Sequence, residues 1–184
     1  MIAFLAVAVL VIVAPGPDFA LTVKNTVRGG GIATAFGVVT GQLAWVVATA
    51  AGVATLLAAS HPAFVALRLA GAAYLVWLGL AALLVRGGHV TRLRPGSPYR
   101  QGLLSNLANP KMPVFFLSLL PQFGDSFAAL SAHGFAFAAL TLCWLTLVSR
   151  GAGLLLVPRV RRAVDLVTGV VLVALGLRLA TERR

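Results

Sequence analysis

Carboxylates are nearly missing from this chain. Of 184 residues only four, Asp18, Asp125, Asp165 and Glu182, carry one. That scarcity leaves few places for a proton-binding acid. Cysteine is rarer still. Cys143 stands alone, which excludes a disulfide framework and cysteine-type metal spacing. Inside an apolar run it reads as a small packing residue. His61, His89 and His133 have no partner at metal-ligand spacing. Ser105 and Ser118 have no histidine nearby in sequence, so no nucleophile–base pair stands out. The chain therefore does not read as an enzyme, and no cofactor is expected.

Charge of either sign is also sparse. Asp, Glu, Lys and Arg make up 10% of the chain, against roughly 25% in a soluble domain. What fills the space is apolar: 60% of residues are hydrophobic and the mean hydropathy is +0.98. A small water-soluble core cannot hide that much apolar surface. The solvent for most of the chain is lipid, and the chain reads as one integral membrane domain over residues 1–184. The net charge of +11 points to cytoplasmic loops rather than to nucleic acid, because the arginines sit between apolar runs and form no basic face.

A bilayer core of about 30 Å takes roughly 20 apolar residues as a helix. Six runs qualify: Met1 to about Asn25, Ile32 to Ala59, Pro62 to Val85, Gly102 to Phe123, Phe127 to Ser149 and Ala163 to Ala180. The first lacks a basic leader, and Pro15 after Ala14 is a poor cleavage product, so it reads as a retained span. Turn signals separate the runs at "RGGG" (28–31), "ASHP" (59–62), "PQFGDS" and "VPRVRR". Residues 87–100 form the one long polar loop. If the spans alternate, ten basic residues follow runs one, three and five: Lys24, Arg28, Arg86, Arg92, Arg94, Arg100, Arg150, Arg159, Arg161 and Arg162. Four (Arg68, Arg178, Arg183, Arg184) fall on the other side. The first set is then cytoplasmic and both termini face outward.

Runs three and six share Leu-Gly-Leu (78–80 and 175–177) with a leucine three residues earlier. Runs one and four share something stronger. Run one is broken at Pro15-Gly16-Pro17-Asp18, and run four at Asn109-Pro110-Lys111-Met112-Pro113. These are the first segments of two three-span halves, about 1–86 and 101–184, and an odd number of spans per half makes the halves inverted copies. The fold expected is an all-α membrane protein of six transmembrane helices, built as two inverted three-helix repeats with the first and fourth helices broken. Paired breaks of this kind point to a transporter's binding site.

Proline removes a donor and stops a helix. The freed backbone groups are tolerated at membrane depth only where they line protein or a cavity. Each break also carries a charge inside its span, Asp18 in one and Lys111 in the other, and an intramembrane charge is a functional candidate by default. Asp18 follows Pro17 where a new helix starts, so it is a candidate cap and a candidate ion-pair partner of Lys111 as well as a substrate ligand. Asn106 and Asn109 lie near one helical face leading into Pro110. In run two, Gln42 needs a partner inside the bundle, a cavity or another helix. Thr40 and Thr49 interrupt the same run, and Thr49 reads as bonding its own backbone. Ala33, Gly37 and Gly41 form a small-residue row suited to close packing inside the protomer or across a homodimer. Trp45, Trp77 and Trp144 read as packing or interface anchors.

Taken together, "APGPDFAL", "RGGGIATAFGVVTGQ", "LAGAAYLVWLGLAAL", "GLLSNLANPKMPVFFLSLLPQF" and "GLRLA" resemble the LysE/RhtB translocator superfamily, the amino-acid and homoserine/threonine exporters. The likeness covers nearly the whole chain. It implies a multi-pass bacterial inner-membrane exporter of amino acids or related metabolites. It also implies that Pro15, Gly16, Pro17, Asp18, Asn109, Pro110 and Lys111 are core motif positions. With Gln42 and Asn106 these make the candidate substrate-binding set. The expected mechanism places the substrate carboxylate on Lys111 and half-helix amides, and its ammonium on Asp18 and exposed carbonyls, with the proton gradient as driving force. A channel or accessory membrane subunit is the alternative, and counterflow separates a carrier from a channel.

Overall fold

A computed structural model describes residues 2–14, 16–84, 96–124, 126–151 and 158–181. All regular structure among them is helical. The helices are α1 (Ile2–Val13), α2 (Pro17–Thr26), α3 (Gly31–Ala59), α4 (His61–Leu84), α5 (Pro98–Leu107), α6 (Lys111–Val114), α7 (Phe127–Arg150) and α8 (Pro158–Thr181). Helix α6 runs on as a π-helical turn, Phe115–Leu119, and a 3-10 turn, Leu120–Phe123.

Two described stretches are long and apolar enough to cross a membrane alone, Gly31–Gly52 and Phe127–Arg150. By length and composition the pair α1 and α2 also suffices when taken together, as a broken span or a re-entrant loop, bent by 57° at the first proline motif. The expected break in run one is therefore where the chain turns. Run four breaks too: α5 ends at Leu107 and α6 starts at Lys111. Pro15 itself lies outside the described residues.

Two helix starts fall earlier than the apolar runs predict. Helix α5 begins at Pro98, inside the expected loop, because Ser97 caps it by accepting from the Arg100 N–H (3.4 Å) and proline suits the first helical position. Helix α8 likewise begins at Pro158 rather than near Ala163. Ser126 caps α7 by accepting from the Ala129 N–H at 3.2 Å.

Close backbone contacts hold the bundle. Gly37 and Gly41 of α3 face α5: a Cβ on Gly37 would collide with the Tyr99 carbonyl, and one on Gly41 with the Asn106 side chain. Gly102 of α5 answers from the other side, against the Thr34 carbonyl. Two of the three small residues in the row are thus engaged inside the protomer, while Ala33 is exposed. Runs three and six, which share a sequence pattern, pack on each other as α4 and α8: Gly79 meets Gly169, and Gly176 meets the Ala72 carbonyl. Between these layers lies a core of Phe4, Phe115, Phe116, Phe137, Leu75 and Leu130. Phe115 and Phe137 stack at 4.0 Å.

Replacing Gly37 with leucine is expected to drive α3 and α5 apart. The cost is at least the roughly 1–3 kcal/mol typical of overpacking, since the collision is with backbone. A lowered thermal midpoint of the detergent-solubilised chain checks it.

Two smaller readings are corrected. Thr49 is fully buried and its hydroxyl has no hydrogen-bond partner, so it does not bond its own backbone. Thr40 does, donating to the Phe36 carbonyl (3.0 Å) while accepting from the Tyr99 hydroxyl. Cys143 is exposed on α7 rather than packed in the core. His89 lies outside the described residues.

Candidate functional site

The first break leaves specific backbone groups without partners. In an α-helix the Val11 carbonyl accepts from the N–H of residue 15, and the Val13 carbonyl from residue 17. Both positions are proline and have no N–H to give. Lys111 makes good part of the loss. Its Nζ donates to the Val11 carbonyl at 3.0 Å and to the Ala14 carbonyl at 3.2 Å. The partially negative end of α1 suits a cation there. Gly16 lies beside the ammonium: a Cβ built on it would stand 3.5 Å from Lys111 Nζ, an ordinary van der Waals contact.

The second break holds the acid of the first. Asp18 Oδ1 accepts from the Ser105 hydroxyl at 2.6 Å. Its Oδ2 accepts from the side-chain amides of Asn106 (2.8 Å) and Asn109 (2.9 Å). Asn109 works twice, since its Oδ1 also accepts from the Lys111 backbone N–H at 3.1 Å. Each break therefore seats the charge of the other. Asp18 and Lys111 do not pair directly; their partners are these groups instead. Nor does Asp18 cap α2. The N-cap is Gly16, with no side-chain bond, and the carboxylate turns away from its own helix toward α5.

Asp18 from α2 and Lys111 from α6 line one cavity, together with Gln42 and Thr141. Most of the remaining wall is apolar: Val11, Ile12, Phe19, Val38, Met112, Phe137 and Leu145. The cavity is about 20 Å³, room for roughly one water molecule. Gln42 Nε2 donates to the Thr141 hydroxyl at 3.2 Å, and that hydroxyl donates to the Phe137 carbonyl. This fixes the amide and leaves Gln42 Oε1 a buried acceptor without a donor. Asn106 Oδ1 is in the same condition, because the Asn106 amide nitrogen is committed to Asp18.

Of the residues singled out by sequence, Asp18, Gln42 and Lys111 line the cavity. Asn106 and Asn109 stand behind Asp18 and aim it. Gly16, Pro17 and Pro110 shape the backbone: Pro17 opens α2, and Pro110 is exposed at the start of α6. Ser105 and Thr141 were not foreseen. By sequence Ser105 reads only as a nucleophile without a base, although it precedes Asn106 in the same asparagine-rich stretch.

A family model for LysE type translocators matches residues 9–183. The chain belongs to the LysE type translocator family. Among curated relatives of this translocator, the leucine efflux protein of Salmonella choleraesuis is 34% identical, the match covering 81% of this chain and 77% of the relative. The threonine efflux protein of Salmonella typhimurium is 29% identical over the full length of both. The uncharacterized membrane protein YrhP of Bacillus subtilis is 30% identical over 67% of each. No solved structure matches the chain. The family is one of translocators, two of these relatives are named efflux proteins and the third a membrane protein, and this translocator is a membrane protein.

Proposed function

We propose that this translocator exports neutral amino acids from the cytoplasm across the bacterial inner membrane, as a carrier driven by the proton gradient. One observation carries the reading: a cavity between the two breaks presents a cation, an anion and an otherwise largely apolar wall. A zwitterion with an apolar side chain matches those three features. Lys111 has three ammonium protons, of which two go to Val11 and Ala14, leaving one for a substrate carboxylate. An ionised carboxylate offers about four acceptor positions, and Asp18 uses three. The fourth, with Gln42 Oε1, gives a substrate ammonium two acceptors at the cavity wall. The names of the leucine and threonine efflux relatives support the same substrate class.

A 20 Å³ cavity is too small for leucine, so loading requires the broken segments α1–α2 and α5–α6 to move apart. We read the chain as two inverted halves, about 1–86 and 101–184, each contributing three of six spans and rocking around the site. The packing of α3 on α7 and of α4 on α8, corresponding elements of the two halves, supports that symmetry.

Counterflow in proteoliposomes tests the carrier reading. Unlabelled leucine loaded inside is expected to speed entry of labelled leucine several-fold. Entry indifferent to internal leucine would indicate a channel instead.

A further inference from the structure

The mechanism above uses Asp18 and Lys111 and leaves one buried charge idle. Arg68 of α4 is 8% exposed. It lies one turn from Ala72 and two from Leu75, which are 2% and 1% exposed, and so shares the helix face turned into the bundle. That face meets α8, where Gly176 rests on Ala72 and Val76, and the π turn, where Ser118 rests on Gly71. Arg68 Nε is shut away from solvent without a hydrogen-bond partner. Among the described side chains Asp18 is the one carboxylate, and its oxygens are held by Ser105, Asn106 and Asn109.

Its place in the bundle follows from the packing. Gly71 sits on Ser118, in the turn leading to Phe123, and Phe123 packs with Phe4 and His133. The opposite end is tied by Asn25, whose amide donates to Thr34 and to Gln101. Arg68 is therefore near the Phe4–His133 end, about one turn beyond Ser118, which is itself about two turns along from Lys111. A guanidinium is a rigid fork of donors that matches the two oxygens of a carboxylate or phosphate. Left buried and unpaired it is disfavoured, and charges at such depth usually face a substrate route or an anionic partner.

We propose that Arg68 is an oxyanion station at this end of the bundle, separate from the Asp18–Lys111 cavity. The oxyanion is either the carboxylate of the amino acid leaving the site or the phosphate of a lipid headgroup seated against α4 and α8. The first source rests on the transport reading above; the second does not.

The test uses the full chain in vesicles of phosphatidylcholine alone and of phosphatidylcholine with phosphatidylglycerol. Wild type, Arg68→Gln, Arg68→Lys and the exposed control Arg178→Gln are compared. Leucine half-saturation is read from each face, and the thermal midpoint is read in each lipid. For a substrate carboxylate, Arg68→Gln raises half-saturation about tenfold or more on one face only, in both lipids, with Arg68→Lys intermediate. For a lipid phosphate, phosphatidylglycerol raises the midpoint of wild type and not of Arg68→Gln. Either result supports the station. Arg68→Gln equal to wild type on both readouts overturns it. So does an equal loss in Arg178→Gln, which reduces the effect to general positive charge. So does reproduction of the loss by neutralising Asp125, Asp165 or Glu182, which would make Arg68 half of an internal ion pair. If wild type moves no leucine, the transport reading fails while the lipid comparison still decides Arg68.

Discussion

Export by the Lys111→Met variant is expected to fall about ten- to a hundredfold, while the chain still inserts in the membrane. Methionine keeps most of the aliphatic stem and removes the ammonium. A substrate carboxylate then loses a charge-assisted donor worth roughly 1.5–3 kcal/mol, and 2.8 kcal/mol is about a factor of one hundred. The same substitution strips the Val11 and Ala14 carbonyls of their donor, so a modest drop in thermal midpoint accompanies the loss of flux. Lys111→Arg separates the two effects. It keeps the charge, but a planar fork is not interchangeable with a compact ammonium seated between two carbonyls. Proteoliposome flux and detergent thermal scans, run on both variants, read function and fold independently.

Asp18→Ala is expected to be costlier to the fold. Three donors, on Ser105, Asn106 and Asn109, converge on this one carboxylate. Removing the acceptor leaves them unsatisfied, at about 1–3 kcal/mol for each buried group. A total of roughly 3–9 kcal/mol lowers the thermal midpoint by about 6 °C or more, at 2–4 °C per kcal/mol for a chain of this size. Asp18→Asn keeps the shape and one acceptor oxygen, and should fall between wild type and alanine. Both variants lose export, because neither offers an anion to the substrate ammonium. A midpoint unchanged in Asp18→Ala would mean that the Asp18–α5 contacts contribute nothing to holding α2.

The positions of the breaks were legible because proline acts locally. Whatever the rest of the chain does, Pro15 and Pro17 deny donors to the Val11 and Val13 carbonyls. Asp18 and Lys111 were legible because charge is so rare in these spans that each one stands out. The partners of those charges were not. A direct Asp18–Lys111 pair follows naturally from opposite signs at equivalent breaks, yet the chain satisfies each charge with neutral groups of the other break. That choice depends on which face of α5 meets α2, and it is Gly41 that makes room for Asn106 there. Such a contact is long-range, and periodicity does not encode it. The apolar runs likewise placed the helix cores, but missed the starts of α5 and α8, where proline at the first helical position, after a Ser97 cap in α5, outweighs the polar character of the residues that follow. The apolar wall of the cavity, Phe19, Val38, Phe137 and Leu145 among others, carries no signal in a chain where most residues are apolar.

Two broken segments that build one site should grip both ends of a neutral amino acid. Equilibrium binding of radiolabelled leucine to the purified, detergent-solubilised chain tests it most directly, with 3-methylbutylamine and 4-methylpentanoate as competitors lacking the carboxylate and the amine. Saturable binding of about one leucine per chain is expected, with competition by either half-molecule at least about a hundredfold weaker than by leucine itself and loss of binding in both Asp18→Asn and Lys111→Met. Leucine bound at undiminished affinity by either variant would contradict it.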